Sequence, residues 1–297
     1  VCLGTTDKGL GPALYLSSTH LRYSKEILAD TSTYRLIVPA EEGPDALADA
    51  RARIIAGRQR RVAATLTRYP KLPRKLHWLL LASIGKAPGM LSKRTFYLQK
   101  FYVLWKLHKA KLAARPIQPA CGSVLKGVGD WIQSQVDPYV RSHPNVLANA
   151  AHWRMRAEAE QRFTTPAVGP DPTQITADVV SLYPNIPHQE GLTAFSWFLD
   201  TFCMPIHPDM RSLMIDLLTI ILKDNYLEHE RLGIYQQIRG TAMGTSVSVS
   251  YAIIFMIWVE TPIVHRFRSN LLLYARYIDD IKALFIGTLT ERQEFLD

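Results

Sequence analysis

The chain has 297 residues, 35 Lys or Arg against 26 Asp or Glu, a net charge of +9, and 47% hydrophobic side chains. That length allows two subdomains around one core, and the excess positive charge, with a pI near 9.5, points to a polyanionic partner. The longest apolar run, Tyr251 to Val259, is nine residues against the roughly 20 that span a bilayer, which argues against a membrane role. Cys2, Cys121 and Cys203 are far apart and odd in number, so neither a disulfide framework nor a zinc site is indicated and a reducing, intracellular compartment is expected.

In chain order, residues 1–44 read as an N-terminal extension of short apolar runs closed by Glu41-Glu42-Gly43-Pro44, a turn or linker. Asp45 to about Arg68 is rich in Ala and Arg and predicts a helix, which Pro70 and Pro73 end. Val124 to Val140 sets Val124, Val128, Trp131, Ile132 and Val136 along one helical side, and Asp209 to Lys223 repeats the pattern with Leu213, Leu217, Ile220 and Ile221. Glu160 to Pro172 has no period and predicts a surface loop. Thr173 to Tyr183 predicts a strand carrying one charge, Asp178, stopped by Pro184 and Pro187. Tyr226 to Gln237 predicts a hairpin turning at Arg231-Leu232-Gly233, and Thr245 to about Val264 a helix. Leu271 to Ile286 predicts two apolar strands meeting at Asp279-Asp280.

Two features carry chemistry. From Arg51 to Arg115 there are 17 Lys or Arg and no Asp or Glu, interleaved with Trp78, Phe96, Tyr97, Tyr102 and Trp105, so phosphate contacts and flat rings come together. The acids Asp178, Asp279 and Asp280 sit at strand ends in apolar surroundings. Adjacent carboxylates repel unless a cation lies between them, and three together suit two hard cations about 4 Å apart, the apparatus of in-line nucleotidyl transfer. Taken singly, Asp178 also fits a turn cap, the acidic pair a solvated hairpin, and the basic stretch a solvated face.

Tyr277-Ile278-Asp279-Asp280 resembles the Tyr-x-Asp-Asp signature of reverse transcriptases. Four further segments, in order, resemble the same family: Asp7-Lys8-Gly9-Leu10-Gly11-Pro12; Phe101 to Lys109 with Arg115-Pro116-Ile117; Asp178 to Pro187; and Gln237 to Thr245. The combination is most similar to Penelope-like retroelements, or to a cellular gene derived from one.

The resemblance implies an α+β fold, a right-hand polymerase with a basic fingers region at 45–120 and a palm over 121–297, fingers elements reaching to about 170, and an antiparallel sheet bearing the acids. It implies that Asp178, Asp279 and Asp280 are catalytic and hold two Mg²⁺ ions, with Mn²⁺ a substitute and Asp280 the weaker ligand. Lys109 and Arg115 then grip the triphosphate, Gln237 and Gly240 face the nascent pair, and Tyr183 blocks a ribose 2′-hydroxyl. Proline is usual in relatives where Ser246 and Val249 stand.

The implied partners are an RNA template, a DNA primer and deoxynucleoside triphosphates, with a nuclear site of action. Only 17 residues follow Asp280 and the chain opens on Val1, so a fragment lacking a thumb and an endonuclease is expected. A telomerase-like or viral RNA-templated polymerase and a non-catalytic nucleic-acid-binding relic are the alternatives.

Overall fold

A computed structural model describes residues 2–7, 11–89, 94–107, 110–160, 172–203 and 205–296. The expected surface loop at 160–172 and the expected phosphate ligand Lys109 fall almost wholly or wholly outside the described residues.

Helices build the main core. In chain order the described helices are α1 (Ser17–Leu28), α2 (Gly43–Thr67), α3 (Arg74–Ser83), α4 (Lys126–Ser142), α5 (Ala150–Ala159), α6 (Leu182–Asn185), α7 (His188–Phe202), α8 (Pro208–Lys223), α9 (Ser246–Arg266) and α10 (Leu289–Leu296). The helices expected around residues 45–68, 124–140, 209–223 and 245–264 are α2, α4, α8 and α9. Glu41 to Pro44 is a turn that runs straight into α2: Gly43 takes φ 91°, and Pro44 sits in the first turn, where its missing N–H leaves no bond unmade.

Val62, Val128, Ile132, Phe195, Phe198 and Leu217, from α2, α4, α7 and α8, lie in one apolar cluster with Tyr251 and Ile254 of α9. By length and composition α9 could cross a membrane, which the nine-residue run alone understates, yet more than half of its apolar stretch is buried within this core. A helix apolar nearly all round is satisfied by neighbours on several sides, here α4 and α7.

Among the described residues there are also four small sheets. Strands β1 (Cys2–Thr5) and β2 (Pro12–Tyr15) pair as a hairpin, as do β5 (Tyr102–Lys106) and β6 (Ala113–Ile117). A bridge between Thr6 and Trp105 joins the two hairpins. Strands β3 (Tyr34–Pro39), β9 (Gly233–Gln237), β8 (Tyr226–His229) and β4 (Gln99–Lys100) form a sheet in that order. The hairpin expected at 226–237 is β8–β9, and the early strand β3 pairs with β9 across about two hundred residues of sequence.

The fourth sheet, β10 (Leu271–Tyr277), β11 (Asp280–Phe285) and β7 (Thr173–Asp178), is antiparallel throughout and carries the three acids at one end. Trp153 of α5 packs with Leu273, Ala275 and Leu284 on one side of it. Ile175, Tyr274, Ala283 and Phe285 cluster with Phe267 on the other. Cover on both faces explains why β10 is buried at every residue but Tyr277, and why its sequence, Arg276 apart, is apolar without alternation.

Candidate active site

The antiparallel register does what the sequence spacing could not. Asp178, the last residue of β7, stands directly opposite Asp280, the first residue of β11, and Asp280 is also opposite Tyr277 at the end of β10. Facing residues share a sheet face, so two carboxylates 102 positions apart become a like-charged cross-strand pair, which is unfavourable without a counter-charge. Ile278 and Asp279 form the two-residue turn between β10 and β11, and the Val179 amide donates to the Asp279 carbonyl at 3.1 Å, pinning the turn to β7.

The expected strand from 173 to 183 stops at Asp178, because the chain reverses there. Ser181 adopts φ 52° and leads into the short α6, which returns Tyr183 towards the acids. Ser181 and Ile278 are the non-glycine residues at positive φ among those described, and each lies within three positions of a carboxylate. For a β-branched residue such as Ile278 this backbone is strained, by about 1–3 kcal/mol, and such strain concentrates where a site must be held open.

A cavity of about 560 Å³ is lined by Asp178, Asp279, Asp280, Tyr183, Arg115 and Lys106 among others. Asp178 and Asp280 also line a second cavity, shared with Trp153, Tyr277 and Lys282, so these acids form a rim between two hollows while Asp279 faces the first. Among the described residues no three His, Cys, Asp or Glu side chains converge as a ready-made metal cage. The donor set nevertheless suits Mg²⁺: three hard carboxylates share one cavity, and Asp178 and Asp280 are exposed and can turn towards a common ion.

Tyr183 is half-buried at the cavity wall. Burial pushes its phenol above the ordinary range, the Asp279 carboxylate adds to the rise, and Arg115 opposes it, so the ring stands within the field of both groups. Arg115 lies opposite Leu104 in the β5–β6 hairpin, whose other face buries Val103 and Trp105. Its Nη1 donates to Asp7 Oδ1 at 3.1 Å, joining Asp7 to the cavity wall. Lys106, not singled out from the sequence, is the lysine that lines the cavity among the described residues. The alternation Val103–Trp105 inward, Leu104–Lys106 outward, was the signal that could have found it.

Gln237 and Gly240 stand behind the cavity rather than on it. The Gln237 side chain is 2% exposed: its Oε1 accepts from Gln118 and Asn225 at 2.9 and 3.0 Å, and its Nε2 donates to the Arg239 carbonyl at 2.8 Å. Those bonds take both Oε1 lone pairs and one of the two Nε2 N–H donors, which holds the amide inside the fold. Gly240, at φ 72°, is buried against the backbone of Tyr183 and Pro184, where any Cβ would come within 2.4 Å of the Tyr183 carbonyl oxygen. Thr241 N donates to that oxygen at 2.9 Å. Gly240 therefore bears on the wall that carries Tyr183 and leads into the loop entering α9, whose Ser248 and Val249 line the cavity.

Missed from the sequence was Arg276, fully buried three positions before Asp279. Its Nε donates to Glu260 Oε1 at 2.6 Å, its Nη2 to the Ile253 carbonyl at 3.2 Å and its Nη1 to the Ile278 carbonyl at 2.5 Å. A cation inside the otherwise apolar Leu271-to-Ile278 run, with a lone Glu in the apolar α9, was the available signal.

The acid-bearing antiparallel sheet packed on helices makes a mixed α/β fold. Among solved structures it is similar to apo telomerase from Candida tropicalis, with a TM-score of 0.56 and 10% identity over 99% of this chain and 48% of that one. The apo telomerase of the same organism truncated from its C-terminal domain gives a TM-score of 0.50 and 11% identity over 70% and 47% of the two chains. The chain thus spans about half the length of the telomerases it resembles. No family model and no curated protein matches the sequence.

Proposed function

We propose that this chain is the core of an RNA-directed DNA polymerase that adds deoxynucleotides to a primer 3′-hydroxyl, of the Penelope-like type or a cellular descendant of one. The observation that carries the reading is the meeting of Asp178, Asp279, Asp280, Tyr183 and Arg115 on one cavity, from positions spread over 165 residues. On this reading residues 45–120 act as fingers and 121–297 as palm, and the protein works in the nucleus on RNA template and DNA primer.

Asp178 and Asp279, with Asp280 beside them, would hold two Mg²⁺ ions, which supply a lowered pKa at the primer hydroxyl and neutralise the triphosphate charge. Arg115 offers a planar fork to phosphate oxygens and Lys106 a point charge beside it. Asp7 keeps the Arg115 guanidinium aimed from behind. The Tyr183 ring fills the volume that a 2′-hydroxyl would need, so deoxyribose is accepted and ribose rejected.

Primer extension on an RNA template tests this, with deoxy- and ribonucleotides compared and RNA binding recorded in the same samples. Extension with deoxynucleotides that is lost in Asp279→Asn, with RNA binding kept, is expected. Binding without any extension would leave either a truncated enzyme or a non-catalytic relic, which the same assay on a longer chain separates.

The second reading is a telomerase-like enzyme, favoured by the likeness to apo telomerase over 99% of the chain. Repeated addition copied from one short RNA segment would select it, whereas copying through to the template end selects the first.

A further inference from the structure

We propose that Arg276 is a positioning residue for Asp279: its guanidinium, anchored on α9, latches the Ile278 carbonyl and so holds the turn that presents Asp279 to the cavity. The inference rests on the reading of Asp279 as a metal ligand. Burying a guanidinium costs several kcal/mol unless its donors are matched, so three well-placed acceptors around one fully buried Arg mark a defined position.

Two of those acceptors, the Glu260 carboxylate and the Ile253 carbonyl, belong to α9 and fix the side chain. The backbone of Arg276 is fixed as well, since its N–H donates to the Asn145 carbonyl at 2.8 Å and its carbonyl accepts from the Leu147 amide at 2.8 Å. Tyr274, two positions back, also sits within the field of Glu260. The remaining branch of the fork is therefore a rigid arm, and it ends on the Ile278 carbonyl.

That carbonyl belongs to the central peptide of the two-residue turn. Its direction sets ψ of Ile278 and φ of Asp279, and with them the direction in which the Asp279 Cα–Cβ bond leaves the backbone. The turn's other carbonyl, of Asp279, is held by the Val179 amide, so Arg276 and Val179 together leave neither peptide free to rotate. The arm is needed because Ile278 stands at φ 55°, where an isoleucine does not rest unaided. The same α9 that anchors the latch contributes Ser248 and Val249 to the cavity wall, so one helix ties the turn to the wall.

The test measures Mn²⁺ binding to the full chain by electron paramagnetic resonance, beside its thermal midpoint. Arg276→Lys keeps a cation for Glu260 but has no fork, and it is expected to weaken Mn²⁺ binding about tenfold, as loss of a support behind a metal ligand does. In an Ile278→Gly background, where φ 55° costs nothing, the same replacement is expected to weaken binding less than about threefold.

Wild-type Mn²⁺ affinity in folded Arg276→Lys, or an equal loss in both backgrounds, would overturn the latch and leave Arg276 a packing residue. Unchanged Mn²⁺ affinity in Asp279→Asn would remove the metal site itself, and the latch's purpose with it.

Discussion

Gly240→Ala is the sharpest local perturbation the structure offers. At φ 72° an alanine costs about 1–2 kcal/mol over glycine, because its Cβ crowds the adjacent carbonyl. The added methyl would also stand 2.4 Å from the Tyr183 carbonyl oxygen and 2.5 Å from the Pro184 Cα, both backbone atoms that cannot swing aside. Relieving such an overlap by backbone shifts costs a further 1–3 kcal/mol or so, for a total near 3 kcal/mol.

At about 2.1 cal/mol/K per residue, unfolding of a chain this size carries an entropy near 0.6 kcal/mol/K, so the thermal midpoint should fall by about 5 °C. The displaced segment carries Tyr183, so ribonucleotide incorporation should rise with little change in RNA binding. Thermal unfolding followed by circular dichroism, and primer extension with matched deoxy- and ribonucleotides, read the two effects. A midpoint within 1 °C or so of wild type would refute the steric reasoning, and a lowered midpoint with unaltered sugar selectivity would refute the tie between Gly240 and Tyr183.

Tyr183→Ala should raise ribonucleotide use directly while leaving the thermal midpoint nearly intact, as the ring is half-buried; unaltered selectivity would remove its role as a gate. Arg115→Ala should raise the KM for nucleotide by about tenfold or more, the worth of a hydrogen bond to a charged group, with Asp7→Asn smaller and in the same direction; equal KM values would show that Arg115 serves only the ion pair with Asp7. Acid should destabilise the fold in a defined window. Burial holds both His143 and His229 down to about 4 from an ordinary value of 6.5, and each accepts a backbone N–H at Nδ1, a bond only the neutral ring can make. The unfolded chain binds those protons first, so stability present above pH 6.5 should fall as pH drops towards 4. His143→Phe should flatten that decline in a pH series of thermal midpoints.

Much of the local structure was legible in the residues. Period and punctuation marked α2, α4, α8, α9 and the β8–β9 and β10–β11 hairpins, because amphipathic faces and turn residues act over a few neighbours. The placing of Asp178, Asp279 and Asp280 at the ends of apolar strands was legible too, from the charges that interrupt those runs. What short-range pattern could not carry was anything that depends on long-range pairing. The stop of β7 at Asp178 follows from the reversal that brings Tyr183 to the cavity. The register that sets Asp178 opposite Asp280 comes from β7 pairing with β11 across some hundred residues. The assignment of Gln237 to the interior follows from partners at 118 and 225, and that of Arg276 from Glu260 and the bent backbone of Ile278. By itself the sequence determined which side chains were available for chemistry and which helices and hairpins would carry them. Only the tertiary structure decided which of them share a cavity and which stand behind it, because a hydrogen bond or ion pair between residues far apart in the chain exists only once the core has closed around both.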